Sequence, residues 1–375
     1  MSIRKQLRQA KRIVVKVGTS TLTHANGKLN FCRIEKLIRE IADLANQDKE
    51  IVLVSSGAMA AGMERLRLLE RPKAIPEKQA LAAVGQGILM HTYEKLFGEY
   101  GQTVAQVLLT RENSRQHKQY INSRNALLTL LKMGVIPIIN ENDAIAVDEI
   151  KIGDNDTLSA TVATLVDADI LIILSDIEGV YTANPQQDPS AKLIAEIAEI
   201  TPEIELLAGG AGTKLGTGGM YTKIQAAKIA VNSGVAMLIA AGSRDGVLRD
   251  IINGLDIGTI FPARESHLKV RKSWLAFGAR LSGDLVVDEG CAKAMLEDGS
   301  SLLAAGIIKI DGAFTAGATV RVLARDGREI ARGTVNYSAA DLHKISGKHT
   351  EQFADILGGK YQDEVIHRDD MVLMA

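Results

Sequence analysis

The sequence has little of what marks metal, redox or secreted chemistry. Its two cysteines, Cys32 and Cys291, lie far apart and in no C-x-x-C pair, so a disulfide framework or thiolate metal site has no support. A reducing cytoplasm is the simplest setting. The seven histidines are scattered, with no His-x-x-x-His or His-Glu-x-x-His spacing, and read as surface or packed side chains. Neither sign of charge is in excess: a formal net charge of -1 argues against a strong global pull toward nucleic acid or an anionic membrane. Long apolar runs are missing as well. The basic start, Met1 to Lys11, leads only into Ile13 to Val17, too brief for a signal segment or a membrane span.

The familiar nucleotide fingerprints are also absent. Gly27-Lys28, Gly347-Lys348 and Gly359-Lys360 each lack the Ser or Thr that completes a P-loop, and no expected strand is followed by G-x-G-x-x-G. A chain that handles ATP without these must use another fold. There is no low-complexity tract and no internal repeat.

What is present is an ordinary globular composition, 46% hydrophobic and 24% charged, in 375 residues, a length that favours two domains. Apolar runs over 13–17, 51–54, 103–109, 135–139, 170–174 and 236–240 predict strands. Helical spacing over 34–45, 59–69, 76–97, 122–133 and 158–166 predicts helices between them. This alternation predicts an α/β fold with an open, mainly parallel sheet sandwiched by helices. After Phe261-Pro262 short strand-like runs at 285–287, 307–310, 319–323 and 330–335 predict a small β-rich domain. The expected division is residues 1–262, a linker over 263–280, and 281–375 for the β-rich domain and tail.

Small polar groups collect where strands end. Lys16 closes a buried strand, Ser55-Ser56-Gly57 follows the second, Asn140-Glu141-Asn142-Asp143 a later one, and Ser175-Asp176 another. In open α/β sheets ligands bind beyond the carboxyl ends of strands, so these groups are expected on one rim. Two further stretches join them. Gly153-Asp154-Asn155-Asp156-Thr157 reads either as a turn with a helix cap or as a chemical site. Leu215 to Lys223 is a glycine-rich loop feeding a helix, which can aim amides and a helix terminus at phosphate.

Taken together, Val15-Lys16-Val17-Gly18-Thr19-Ser20, Ser55 to Ala58, Ile139 to Asp143, Ile152 to Asp156, Ser175 to Tyr181 and Gly216 to Lys223 resemble the amino acid kinase family over nearly the whole chain. The region from about Ser282 looks like a PUA domain, and His367 to Met371 resembles the ending typical of such bacterial enzymes. The resemblance implies transfer of the γ-phosphoryl group of ATP to the side-chain carboxylate of L-glutamate, the step that begins proline synthesis, with Mg²⁺ carried mainly on the ATP phosphates.

By the same resemblance Lys16 and Lys223 stabilise the transferring group and Asp156 orients them. Asp154, Asn155, Asn140 and Asp143 hold the substrate ammonium, and Ser56 with Gly57 its carboxylate end. Lys16, Ser175, Asp176, Thr217, Gly218, Gly219, Met220, Tyr221, Thr222 and Lys223 hold the nucleotide. Many relatives carry Thr where Ser175 stands, and the hydroxyl is kept. Feedback inhibition by proline is implied, and a homo-oligomer, dimer or tetramer, is expected. Rival readings are an aspartate, acetylglutamate or uridylate kinase of the same family, or an RNA-binding PUA protein. The first set is disfavoured by the carboxy-terminal domain. RNA binding is disfavoured because nine Lys plus Arg face eleven Asp plus Glu between Ser282 and Lys360.

Overall fold

The computed structural model describes residues 3–68, 70–110, 117–145, 155–185, 187–208, 219–264, 281–348, 350–358 and 362–374. The expected linker from 265 onward, and Asp154, Thr217 and Gly218 of the expected site, lie outside the described residues. The chain divides into two compact units, one built on a seven-stranded sheet and the other on a five-stranded sheet.

The larger sheet comprises β1 (Arg12–Val17), β2 (Glu50–Val54), β3 (Val104–Leu109), β4 (Ile136–Glu141), β5 (Ile170–Ser175), β6 (Ala236–Ala241) and β7 (Thr259–Phe261), ordered β3-β4-β2-β1-β5-β6-β7. All neighbours pair in parallel except β6 with β7. The central strands are buried on both faces, which is why they read as unbroken aliphatic runs rather than alternating ones. Ile13, Val15, Val17, Leu53 and Ile172 point to one face, where they pack with Ile34, Ile38 and Ile41 of helix Phe31–Ala45 and with Leu89, Tyr93 and Phe97 of helix Ile75–Glu99. Asn30 caps the first of these helices by accepting from the Arg33 amide at 3.1 Å. Helices Asp156–Leu165 and Met220–Asn232 pack side by side on β1, β5 and β6. Their buried Ala160, Ala163, Ala226 and Ala227 allow a close approach.

Three departures from the sequence expectation matter for the site. The fourth strand continues through Asn140 and Glu141, which pair with Leu108 and Leu109, so these residues belong to the sheet rather than to the following loop. Helix Asp156–Leu165 begins two residues earlier than its apolar spacing predicts, placing Asp156 in its first turn. The edge strand β7 is antiparallel and has only three residues, too short to carry a periodic signal.

Helices Ala58–Arg65 and Ile75–Glu99 touch backbone to backbone. A Cβ on Gly85 would stand 1.6 Å from the Ala58 carbonyl oxygen, and one on Gly62 2.1 Å from that of Leu81. Gly85→Ala is therefore expected to destabilise the protein by about 2 to 3 kcal/mol through overpacking. It should also displace Gly57, which precedes Ala58 in a left-handed conformation (φ +96°). Urea unfolding of the variant checks this, and an unchanged midpoint rejects it.

The smaller sheet, ordered β12-β11-β10-β8-β9, uses β8 (Leu281–Val287), β9 (Ile307–Asp311), β10 (Thr319–Leu323), β11 (Glu329–Thr334) and β12 (Met371–Leu373). Its core gathers Leu285, Val287, Val320, Val322, Ile330 and Leu342. A bidentate pair from Arg321 to Asp284, at 2.7 and 2.6 Å, joins β10 to β8. Among the described residues no helix is long and apolar enough to cross a membrane.

Candidate active site

Four adjacent strands, β4-β2-β1-β5, deliver their carboxyl ends to one rim. The chain steps from β1 to β2 on one side and later places β5 on the other, so a crevice opens at this change of direction. Lys16 is the penultimate residue of β1, in register with Val54 of β2 and Ile173 of β5. Ser55-Ser56-Gly57, Asn140-Glu141 and Ser175-Asp176 occupy the ends of β2, β4 and β5.

Beside Lys16 lies the fully buried carboxylate of Asp156. Its Oδ1 is 2.5 Å from Lys16 Nζ, and its Oδ2 is 3.1 Å from Lys223 Nζ. The Thr222 hydroxyl, with one proton to donate, lies 2.9 Å from Oδ2 and 2.8 Å from the Gly219 carbonyl oxygen. Both lysines are themselves buried. Burial alone would push the Asp156 carboxyl up, but the two ammonium groups overcome it, first through charge and then through hydrogen bonds, and hold it at about 2. The first turn of helix Asp156–Leu165 also favours an anion there. Lys223 stands in the first turn of helix Met220–Asn232, where the dipole opposes a cation, and Asp156 offsets that cost. One carboxylate against two ammoniums leaves a net positive charge beside a helix N-terminus, an arrangement suited to phosphate.

Asn155, next in sequence, faces a cavity of about 310 Å³ that also presents Ser56, Gly57, Asn140, Glu141 and Asp143. Five of the expected substrate residues therefore meet in one place, at the size of a small-molecule site. The structure also shows what two of them are already doing. The Asn155 side-chain nitrogen, with two protons, lies 2.7 Å from the Ser55 carbonyl, 2.9 Å from Asn140 Oδ1 and, longest of the three, 3.1 Å from Ser56 Oγ. As the residue before the helix it makes no side-chain capping bond. It ties β2, β4 and the start of helix Asp156–Leu165 together instead. Asn140 Oδ1 also accepts from the Glu141 amide at 2.9 Å, and its nitrogen donates to Gln86 Oε1 at 2.8 Å. Two donors already occupy that oxygen's lone pairs. Behind it the Ser55 and Tyr93 hydroxyls share a buried 2.7 Å bond, and burial pushes the Tyr93 phenol well up, keeping it neutral.

On the nucleotide side the Ser175 hydroxyl donates to Asp176 Oδ1 at 3.0 Å. Gly219 precedes the helix that begins at Met220, Tyr221 is exposed, and the Thr222 hydroxyl lies 2.8 Å from the Gly219 carbonyl oxygen as well as 2.9 Å from Asp156 Oδ2. Arg71, Thr19, Met59 and Met63 also line the cavity, beyond the residues the sequence motifs point to. Arg71 lies in a connection with no motif around it, and nothing local in Gln86 or Tyr93 sets them apart from other helix residues.

The model of the amino acid kinase family matches residues 11–241, and that of the PUA domain residues 283–357. The chain is 56% identical over 363 residues to a glutamate 5-kinase of Caldanaerobacter subterraneus subsp. tengcongensis, covering 97% of this chain and 98% of that protein. It is 53% identical over 369 residues to a glutamate 5-kinase of Moorella thermoacetica, covering 98% of each. A UMP kinase structure from Bacillus anthracis aligns with a TM-score of 0.47 at 16% identity, covering 69% of this chain and 99% of that one, too distant to assign anything here. The chain belongs to the amino acid kinase family and is an enzyme of that family with a PUA domain following its kinase region.

Proposed function

We propose that the protein transfers the γ-phosphoryl group of ATP to the side-chain carboxylate of L-glutamate, giving L-glutamyl 5-phosphate for proline biosynthesis. The observation that carries this reading is the Lys16–Asp156–Lys223 bridge, one residue from the cavity-lining Asn155. A carboxylate is already a nucleophile at neutral pH, so the site needs no general base. It must hold two anions in line and neutralise charge spread over the equatorial oxygens. In this reading Lys16 and Lys223 supply that charge from two different elements, and Asp156 keeps their ammonium groups from repelling one another out of position. The identity to relatives named glutamate 5-kinases supports the choice of acceptor.

The cavity divides the remaining roles. Asp143 and Asp154 are assigned to the substrate ammonium, with Asn155 and Asn140 fixing the wall around it, and Ser56 with the Gly57 amide serves a carboxylate. The nucleotide is assigned to Lys16, Ser175, Asp176 and the stretch Thr217, Gly218, Gly219, Met220, Tyr221, Thr222 and Lys223. Mg²⁺ is assigned to the ATP phosphates as part of the co-substrate. We further assign catalysis to residues 1–262, joined by 263–280 to the domain at 281–375. Inhibition by proline, a dimeric or tetrameric state and a cytoplasmic location complete the proposal. A hydroxylamine trap in ATP and Mg²⁺ tests the reaction: hydroxamate should form with L-glutamate far above aspartate and acetylglutamate controls. Equal signals from all three would reject the acceptor.

A further inference from the structure

We propose that Gln86 is a positioning residue for the acceptor pocket: through Asn140 it holds the Asn155 amide with its oxygen turned to the substrate ammonium. This rests on the glutamate reading above. A side-chain amide has a donating end and an accepting end of nearly the same shape, and an ammonium can use only the accepting one. At Asn155 a backbone group decides which end is which. A carbonyl only accepts, so the atom 2.7 Å from the Ser55 carbonyl oxygen is the Asn155 nitrogen. Its Oδ1 then has no partner among the described residues, on a side chain that lines the cavity.

The same polarity runs on through Asn140. The Glu141 backbone N–H only donates, so the atom 2.9 Å from it is Asn140 Oδ1, and that oxygen also lies 2.9 Å from the Asn155 nitrogen. Reversed, Asn140 would set its own N–H groups against both of those donors. Its nitrogen therefore faces the other way, 2.8 Å from Gln86 Oε1. Gln86 is half-buried and stands behind Asn140, outside the lining of the cavity, so it acts through Asn140 and not on the ligand. Its place is fixed by the residue before it. At Gly85 helix Ile75–Glu99 meets helix Ala58–Arg65 so closely that a Cβ would stand 1.6 Å from the Ala58 carbonyl oxygen. Two turns along the same helix face, the buried Tyr93 hydroxyl shares a 2.7 Å bond with the Ser55 hydroxyl. The helix thus holds both strand ends that orient Asn155, β4 through Gln86 and β2 through Tyr93.

Gln86→Met keeps the length and helix propensity of the side chain and removes the accepting oxygen. In steady-state kinetics its KM for L-glutamate should rise roughly 10-fold, the size of one lost hydrogen bond, with kcat and the KM for ATP little changed. Gln86→Glu keeps an acceptor at the same reach and should lie closer to the parent than Gln86→Met does. Glutarate, which has both carboxylates of glutamate but no ammonium, should inhibit the parent and Gln86→Met with the same constant. A purely structural loss would weaken glutamate, ATP and glutarate together. That result, an unchanged KM for glutamate, or a Gln86→Glu variant no better than Gln86→Met would overturn the role of Gln86 while leaving the kinase reading intact. A parent enzyme that forms no hydroxamate with L-glutamate would instead remove that reading and this inference with it.

Discussion

Asp156→Ala is expected to lower kcat by roughly 10²- to 10³-fold with a much smaller change in the KM for glutamate. The reason is geometric. The carboxylate holds one buried ammonium on each oxygen, at 2.5 and 3.1 Å, and without it two like charges face each other in a water-poor site. In the proposed reaction their repulsion would move both away from the transferring group, whose charge is greatest in the transition state. The same substitution is expected to cost about 3 to 5 kcal/mol of folding stability, the range for a buried ionic network that loses its counter-charge. Asp156→Asn keeps shape and loses charge, so it should reproduce most of both effects. ADP release and urea unfolding on the same preparations check the pair of outcomes. If the asparagine variant turned over like the parent, orientation by charge would be the wrong account of this residue.

An acid titration offers an independent view of the same carboxylate. Its pKa is lowered in the folded protein, from the ordinary 3.8 to about 2. The stabilisation it contributes is therefore complete above the unfolded value and is lost as pH falls through the folded one. That window runs from about pH 4 down to about 2, and the contribution is on the order of 2 kcal/mol. The difference in stability between parent and Asp156→Asn should narrow across this window and stay constant from pH 5 to 8.

The second large effect concerns the cations. Lys16→Ala and Lys223→Ala are each expected to reduce kcat roughly 10²- to 10³-fold, because in the proposed reaction each would remove a donor to charge that develops during transfer. The double variant should lose much less than the product of the two, since the lysines act through one shared carboxylate. Thr222→Val makes a useful contrast. It deletes an uncharged hydroxyl that lies 2.9 Å from Asp156 Oδ2 and 2.8 Å from the Gly219 carbonyl, and it is expected to slow turnover only about 10-fold or less. Single-turnover measurements read these rates without product release. Fully multiplicative lysine losses would mean that the two ammoniums work independently.

Much of this site was legible from residue order alone. A lysine at the end of the aliphatic run Ile13 to Val17 is costly unless something pairs with it, and the polar clusters fall where strands end, the place where open α/β sheets bind ligands. Less legible was the division of labour among them. Asn140 looked like a ligand group in a loop, yet it belongs to β4, and its amide is bound to Asn155 and Gln86. Thr222, expected at the nucleotide, also has its hydroxyl 2.9 Å from Asp156 Oδ2. Side-chain amides and hydroxyls carry donors and acceptors for either use, and only the neighbours brought by the fold decide which use is taken.

The sequence by itself determined the fold class, the parallel core and the list of polar groups at the strand ends, because burial on both faces of a sheet and the 3.6-residue period are written locally in side-chain type. Tertiary structure alone decided the strand order β3-β4-β2-β1-β5-β6-β7, the backbone contact at Gly62 and Gly85, and the bridge that sets Asp156 between Lys16 and Lys223. Those depend on through-space distances between segments as much as 207 residues apart, from Lys16 to Lys223, and no local property of either segment encodes them.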